Sequence, residues 1–152
     1  MDLINSRTRN IAHLALNGLH ERSRAIASNT ANALTPGYQR KDVLFEGQLR
    51  NIIQEENLKE QIKIENTARI QKNPAELLKQ ADPAQIAFLN RNATEGYRPE
   101  VLTDLSDSDF QDNNVILEYE MTDAAKTGTQ YAIVSNLLAK SFQGLERVIK
   151  GQ

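Results

Sequence analysis

Cysteine and tryptophan are absent from this 152-residue chain, and aromatic residues make up only 5% of it. Without cysteine there is no disulfide framework and no Cys-based metal site. With few aromatics and a hydrophobic fraction of 39%, the chain is poorly supplied for a large compact core. It suits one domain, or a small domain carried on helical ends. No apolar run approaches transmembrane length, and the start, MDLINSRTRNIAHLAL, lacks the uninterrupted apolar stretch of a secretory signal. A route out of the cytoplasm would therefore use no cleaved signal peptide. Neither sign of charge dominates: 18 basic and 20 acidic residues leave −2. That balance argues against nucleic acid as a partner and against direct membrane insertion.

Catalytic patterns are missing as well. There is no phosphate-cradling glycine loop and no G-x-S-x-G elbow, so no enzyme, catalytic residue or cofactor is expected. His13 and His20 could share a helix face, but no ligand set surrounds them, and they read as surface or interface residues, not metal ligands. Asp104, Asp107, Asp109 and Asp112 lack the glycine and closing Glu of a calcium loop and read as solvated linker. Asn92-Ala93-Thr94 matches a glycosylation sequon by chance.

What the chain does have is periodicity at both ends. From about Asp2 to Leu34, Ile4, Ile11, Ala15, Leu19, Ile26 and Ala33 return at helical spacing, with Ala12 and Leu16 widening the stripe. This predicts an amphipathic helix. Gly18 lies inside it at a cost of about 1 kcal/mol relative to Ala, which close packing could offset. Leu117, Met121, Ala124, Gly128, Tyr131, Ser135, Leu138, Phe142, Leu145 and Ile149 alternate steps of four and three, the a/d seam of a coiled coil. Asn113 and Asn114 can cap its start, and Glu118 and Glu120 sit where a helix dipole favours negative charge.

The middle is less regular. A short helix is expected around Leu49, Ile52 and Ile53 within 43–57, and Gln61–Glu65 alternates like a short strand. Asn73-Pro74-Ala75-Glu76 and Asp82-Pro83-Ala84-Gln85 resemble capping boxes, predicting helices from about Pro74 to Gln80 and Pro83 to Asn90. Residues 92–114 read as polar linker. The fold class is mainly α: long terminal amphipathic helices pairing as a coiled coil, with a small, partly β or short-helical middle. The divisions are 1–38, 39–112 and 113–152. The terminal stripes have no partner in the middle, so the helices pair with each other or with the same helices of neighbouring subunits.

Pro36-Gly37 is a strong stop signal, since proline fixes φ and glycine accepts the positive φ of a following turn position. Ala15-Leu16, Ser28-Asn29-Thr30-Ala31-Asn32, Thr35-Pro36-Gly37-Tyr38, Lys41-Asp42-Val43 and Phe45-Glu46 together resemble the N-terminal signature of the flagellar basal-body rod protein family. Asn113-Asn114-Val115, Leu117-Glu118, Glu120-Met121, Tyr131, Leu137-Leu138, Phe142 and Leu145 are similar to the C-terminal signature of its proximal members. The resemblance covers roughly the first 50 and last 40 residues. One position departs: Ile116 stands where the family has Asp, and Ile cannot cap a helix, so capping would shift to Asp112, Asn113 or Asn114.

The resemblance implies a structural subunit of the proximal rod. Such subunits are exported unfolded by the flagellar type III apparatus and assemble into a helical tube spanning the periplasm, within the basal body. Partners would be further copies, FlgC-like and other rod proteins, a FliE-like adaptor and the export gate. The assembly interface would draw on Ile11, Ala15, Leu19, Ile26, Asn29 and Asn32, and on Leu117, Met121, Gly128, Tyr131, Leu138, Phe142 and Leu145. Phe45 and Leu49 fit a Phe-x-x-x-hydrophobic export-gate motif. A coiled-coil export chaperone or adaptor is the alternative; it would have no need of the matched turn and Asn-Asn-Val motifs.

Overall fold

The computed structural model describes residues 6–73, 82–104 and 113–150. In order these form helix α1 (Ser6–Ala31), strand β1 (Lys41–Leu44), helix α2 (Glu46–Lys72), helix α3 (Pro83–Asn90), strand β2 (Glu100–Thr103) and helix α4 (Leu117–Lys150). Two compact units result, one of Met1–Gly47 with Arg98–Gln152, the other of Gln48–Tyr97.

In the first unit α1 packs along α4 and against β1, and β1 pairs with β2 as an antiparallel ribbon. The terminal helices thus pair with each other within one chain. α1 stops at Ala31, short of the expected Leu34. Residues 32–38 form successive hydrogen-bonded turns, closed by Thr35 N to Asn32 O at 2.9 Å and Tyr38 N to Thr35 O at 3.2 Å. In the second of these, Pro36 and Gly37 occupy the central positions and Gly37 has φ 71°, the signature of a type II turn.

The packed stripe of α4 lies one residue away from the apolar seam read from the sequence. Among its described side chains Glu120, Thr127 and Ser141 are buried, with Asp123, Gln130, Val134 and Gly144 half-buried alongside; of the seam itself Ser135 and Leu138 are half-buried. Leu117, Met121, Ala124, Gly128, Tyr131 and Phe142 are exposed, Met121 at 65% and Phe142 at 56%. One residue is a rotation of about 100° on a helix, so α4 turns its polar small-residue face to the chain's own core. Ile4, Asp107, Asp109, Asp112 and the helix expected from Pro74 lie outside the described residues, as do the side chains of Leu145 and Ile149.

Among the described residues the core of this unit is thin: Leu19, Ala25, Ile26, Val43 and Phe45 are the buried apolar ones. Phe45 is seated on Gly18, where an added Cβ would overlap the aromatic ring. The helix-weakening glycine is therefore the socket for the ring that follows β1.

Two expectations for the middle are corrected. Gln61–Glu65 is not a strand but the interior of α2, because Gln48–Lys72 contains neither Gly nor Pro and is dense in Glu, Gln, Lys and Arg, whose helix propensity outweighs one short alternation. The helix begins at Glu46, after β1, and runs 27 residues rather than ending near Asn57. Likewise, the polar segment 92–114 contains β2, whose Val101, Leu102 and Thr103 are strand formers in a polar setting.

In the second unit α3 starts as expected, with Asp82 Oδ1 accepting from Ala84 N at 2.9 Å and Pro83 in the first turn. Gln85 does not complete the box; its Oε1 accepts instead from Asn66 of α2 at 3.4 Å. Lys59 is buried and donates to the Arg91 carbonyl that ends α3, while Glu55 lies 3.0 Å from its ammonium. Hydrogen bonds from Arg91 and Lys59 hold the Glu55 carboxylate below its usual range.

Gly18→Ala should lower stability by about 1–3 kcal/mol through overpacking against Phe45, despite the better helix propensity of Ala. Urea unfolding measures it, and Phe45→Leu in the same background should recover part of the loss. An alanine variant as stable as the parent would mean the ring is not seated there.

Candidate functional site

The last turn of α1 carries the residue on which the chain ends converge. Asn29 is fully buried. Its Nδ2 donates to the Lys41 carbonyl at 2.7 Å and to Glu120 Oε2 at 3.1 Å. Its Oδ1 accepts from Lys41 N–H at 2.9 Å and from the Tyr38 hydroxyl at 3.2 Å. A primary amide has two N–H donors and two acceptor lone pairs, so every capacity of Asn29 is used. One side chain thereby ties α1 to β1, to the turn tyrosine and to α4.

Glu120 is also fully buried, in the first turn of α4. Its other oxygen accepts from Arg40 Nε at 2.7 Å. The Arg40 guanidinium continues to Asp123 Oδ2 at 3.3 Å and lies 3.7 Å from Asp42 Oδ2. Burial opposes its charge, but the Glu120 hydrogen bond and the charges of Glu120, Asp42 and Asp123 prevail and raise its pKa above the ordinary value.

The Asn-Asn pair before α4 does not cap that helix. Ile116 occupies the cap position, its carbonyl accepting from Tyr119 and Glu120 N–H. Asn113 reaches across to the end of α1, donating from Nδ2 to the carbonyls of Asn32 at 2.6 Å and Thr35 at 2.9 Å. Its Oδ1 accepts from Val115 N–H at 2.8 Å. Asn114 Oδ1 accepts from Arg40 N–H at 2.7 Å and its Nδ2 donates to the Asp104 carbonyl at 3.0 Å, stitching the start of β1 to the end of β2. Asn113 thus adds a second hydrogen bond to each of two turn carbonyls that already accept from the backbone, tying the start of α4 to the turn after α1, while Asn114 serves the ribbon end.

Tyr38 is held from two sides: its hydroxyl donates to Asn29, and Ser28 Oγ lies 2.9 Å away. Asn32 donates to the Ser28 carbonyl at 2.8 Å. A second clamp holds the other end of β1. Arg22 donates to the Val43 carbonyl at 2.7 Å, pairs with Glu46 at 2.6 Å and stacks over Phe45 at 4.7 Å from the ring centre. Burial works against the charged Glu46 carboxylate, but hydrogen bonds from Arg22 and the backbone outweigh it and hold the group below the ordinary carboxylate range. Between the clamps is a polar cavity of about 210 Å³, lined among others by Arg22, Arg40, Asp42, Glu46 and Asp123. Both arginines already face carboxylates, which makes the arrangement a latch rather than an open anion site.

The residues singled out for assembly separate into groups. Leu19, Ile26 and Asn29 are buried inside the chain; Ile11, Ala15, Asn32 and Leu138 are half-buried. Leu117, Met121, Gly128, Tyr131 and Phe142 are exposed, and Leu145 belongs to α4. Of the turn, Thr35, Pro36 and Gly37 are exposed and Tyr38 is half-buried. Phe45 and Leu49 are both buried. His13 lies 3.5 Å from Asn17, and no group of three or more metal-binding side chains occurs among the described residues. Arg40 was not legible as a site residue, since a lone arginine after a turn carries no pattern. Glu120 could have been found from its place exactly one heptad before Thr127, had polar residues been admitted to the seam.

Comparison with known proteins fits this joining of the two ends. The flagellar basal body rod protein FlgB of Borreliella burgdorferi is 25% identical over 144 residues, covering 95% of this chain and 96% of the relative. The chain resembles FlgB from end to end. No family model matches it. The FlgB likeness extends through the middle region, where sequence motifs alone offered no match. Among the described residues no helix is long and apolar enough to cross a membrane.

Arg40→Met should cost about 3–5 kcal/mol, because it strips Glu120 of its counter-charge inside the fold. Adding Glu120→Gln to that variant should recover part of the loss, as a neutral amide replaces the stranded carboxylate. Equilibrium urea unfolding of the single and double variants gives the coupling; strictly additive losses would rule out the latch.

Proposed function

We propose that this chain is a structural subunit of the bacterial flagellar rod, of the proximal, FlgB-like kind. Its likeness to FlgB over almost the whole of both chains carries the reading. The physical support is that the two motifs resembling the rod signatures meet in space: Asn113 and Asn114, before α4, hydrogen-bond the turn and strand that follow α1. The subunit is exported unfolded by the flagellar type III apparatus and assembles in the periplasm. Its neighbours are further copies, FlgC-like and other rod proteins, and a FliE-like adaptor at the base. The chaperone or adaptor alternative draws no support from the relative.

In this reading the latch shapes the subunit and the exposed stripe of α4 meets its neighbours. Leu117, Met121, Tyr131 and Phe142 lie on that stripe, rotated away from the buried residues of the same helix. A helical tube needs contacts between unlike faces of successive subunits, which α1 and α4 can supply from opposite sides of one pair. Gly128, with open space over its Cα, permits close approach of a neighbour. Phe45 and Leu49 are presented to the export gate only by the unfolded chain, since folding buries both.

Deleting the gene should abolish the whole rod, seen by electron microscopy of isolated basal bodies; loss of only some exported proteins would favour a chaperone. Restoring the gene with Met121→Asp and Phe142→Asp should give secreted, folded subunits that build no rod, and normal rods would remove the stripe from the interface. Separately, Phe45→Ala with Leu49→Ala should cut secretion severalfold at unchanged expression. Secretion at the parental level would eliminate the export motif.

A further inference from the structure

The two strands of the ribbon differ at their outer edges. Asp104 N–H donates to the Arg40 carbonyl at 2.8 Å, which sets the parity of the ladder. With the register Lys41↔Thr103, Asp42↔Leu102, Val43↔Val101 and Leu44↔Glu100, the inward hydrogen-bonding positions are Asp42, Leu44, Leu102 and Glu100. Lys41 and Val43 of β1 then point their backbone groups outward, as do Val101 and Thr103 of β2.

The outer edge of β1 is sealed by side chains. Asn29 takes both Lys41 groups, Asp42 Oδ1 accepts from Val43 N–H at 2.7 Å, and Arg22 donates to the Val43 carbonyl. β2 has no such cover. Its four residues are exposed, Val101 at 53%, and the outward groups of Val101 and Thr103 have no partner among the described residues. Open edges are templates for another strand.

We propose that the free edge of β2 is a docking site for an extended segment of another protein, in which basic residues flank an apolar one on the same face. One face of the ribbon carries exposed Leu44 and Leu102, set diagonally, with Asp42 and Glu100 as their cross-strand neighbours. Glu100 has no ion-pair partner among the described residues. A strand added at this edge completes the hydrogen bonds of Val101 and Thr103, places an apolar residue against Leu102 and a lysine or arginine against Glu100.

A second copy of β2 fits poorly. Antiparallel self-pairing of Val101 with Thr103 sets Glu100 against Asp104, and pairing Val101 with itself sets Thr103 against Pro99, which has no N–H to give. The proposal stands apart from the rod reading, since it rests on the ribbon alone.

The test uses the full chain and a capped synthetic peptide repeating Lys-Thr-Leu-Thr, with a Glu-Thr-Leu-Thr peptide as its charge-reversed control. The basic peptide should bind, measured by fluorescence anisotropy, and should slow amide exchange at Val101 and Thr103. Val101→Pro removes an outward donor while sparing the ladder to β1, and should weaken binding about tenfold or more. Glu100→Lys, at an exposed position, should transfer preference to the acidic peptide. Three results would each overturn the proposal: no protection at Val101 and Thr103, affinity unchanged in both variants, or protection that grows with protein concentration without peptide and so reports self-pairing.

Discussion

The first unit depends on a saturated amide. Asn29 has four hydrogen-bonding capacities and its surroundings fill all four, with both backbone groups of Lys41, the Tyr38 hydroxyl and the buried Glu120 carboxylate. No other side chain of similar size offers two donors and two acceptors in a plane. Aspartate lacks the donors, and would place a second carboxylate beside Glu120. Because one residue settles the relation of α1, the turn, β1 and α4, the unit can hold its shape with a small apolar core. Burial of a few aliphatic side chains at about 1.5–3 kcal/mol each would not alone choose one arrangement of two long helices. A polar network with every member satisfied does, because each alternative register leaves a buried group unpaired.

Around that amide the latch is graded in polarity. Glu120 is buried, Arg40 is one-fifth exposed, and Asp42 and Asp123 are nearly half exposed. Charge is thus led from the interior to the surface along one guanidinium, which keeps the desolvation cost of the buried carboxylate within reach of its partners. The Asn113 and Asn114 amides extend the same logic to backbone groups, bracing the turn carbonyls behind α1 and closing the open end of the ribbon.

The long features of the fold were legible in the sequence because they depend on periodicity and punctuation. The α1 stripe, the Pro36-Gly37 stop, the helix from Pro83 to Asn90 and the length of α4 all follow from local rules. Their mutual orientation did not follow. In α4 periodicity marks the strongest apolar stripe and leaves open whether it meets α1 or a neighbouring subunit; within the chain the packed stripe is the one containing Glu120, Thr127 and Ser141. Hydrophobic periodicity locates a face that avoids water but does not say whose surface covers it. Arg40, Asn113 and Asn114 act through contacts more than seventy residues apart, which no window of sequence contains. The four-residue strands escaped notice for the opposite reason: they are too short for alternation to register and depend on each other and on Asn29 for their pairing.

The one-residue offset between the two stripes of α4 divides the helix between tasks that are usually entangled. The side chains that α4 buries within the chain, Glu120, Thr127 and Ser141, are different residues from those it shows to its surroundings, Leu117, Met121, Tyr131 and Phe142. Drift along the outer stripe can therefore alter which surfaces the helix meets without disturbing the inner one. A lineage could retune its contacts position by position while inheriting the same subunit shape.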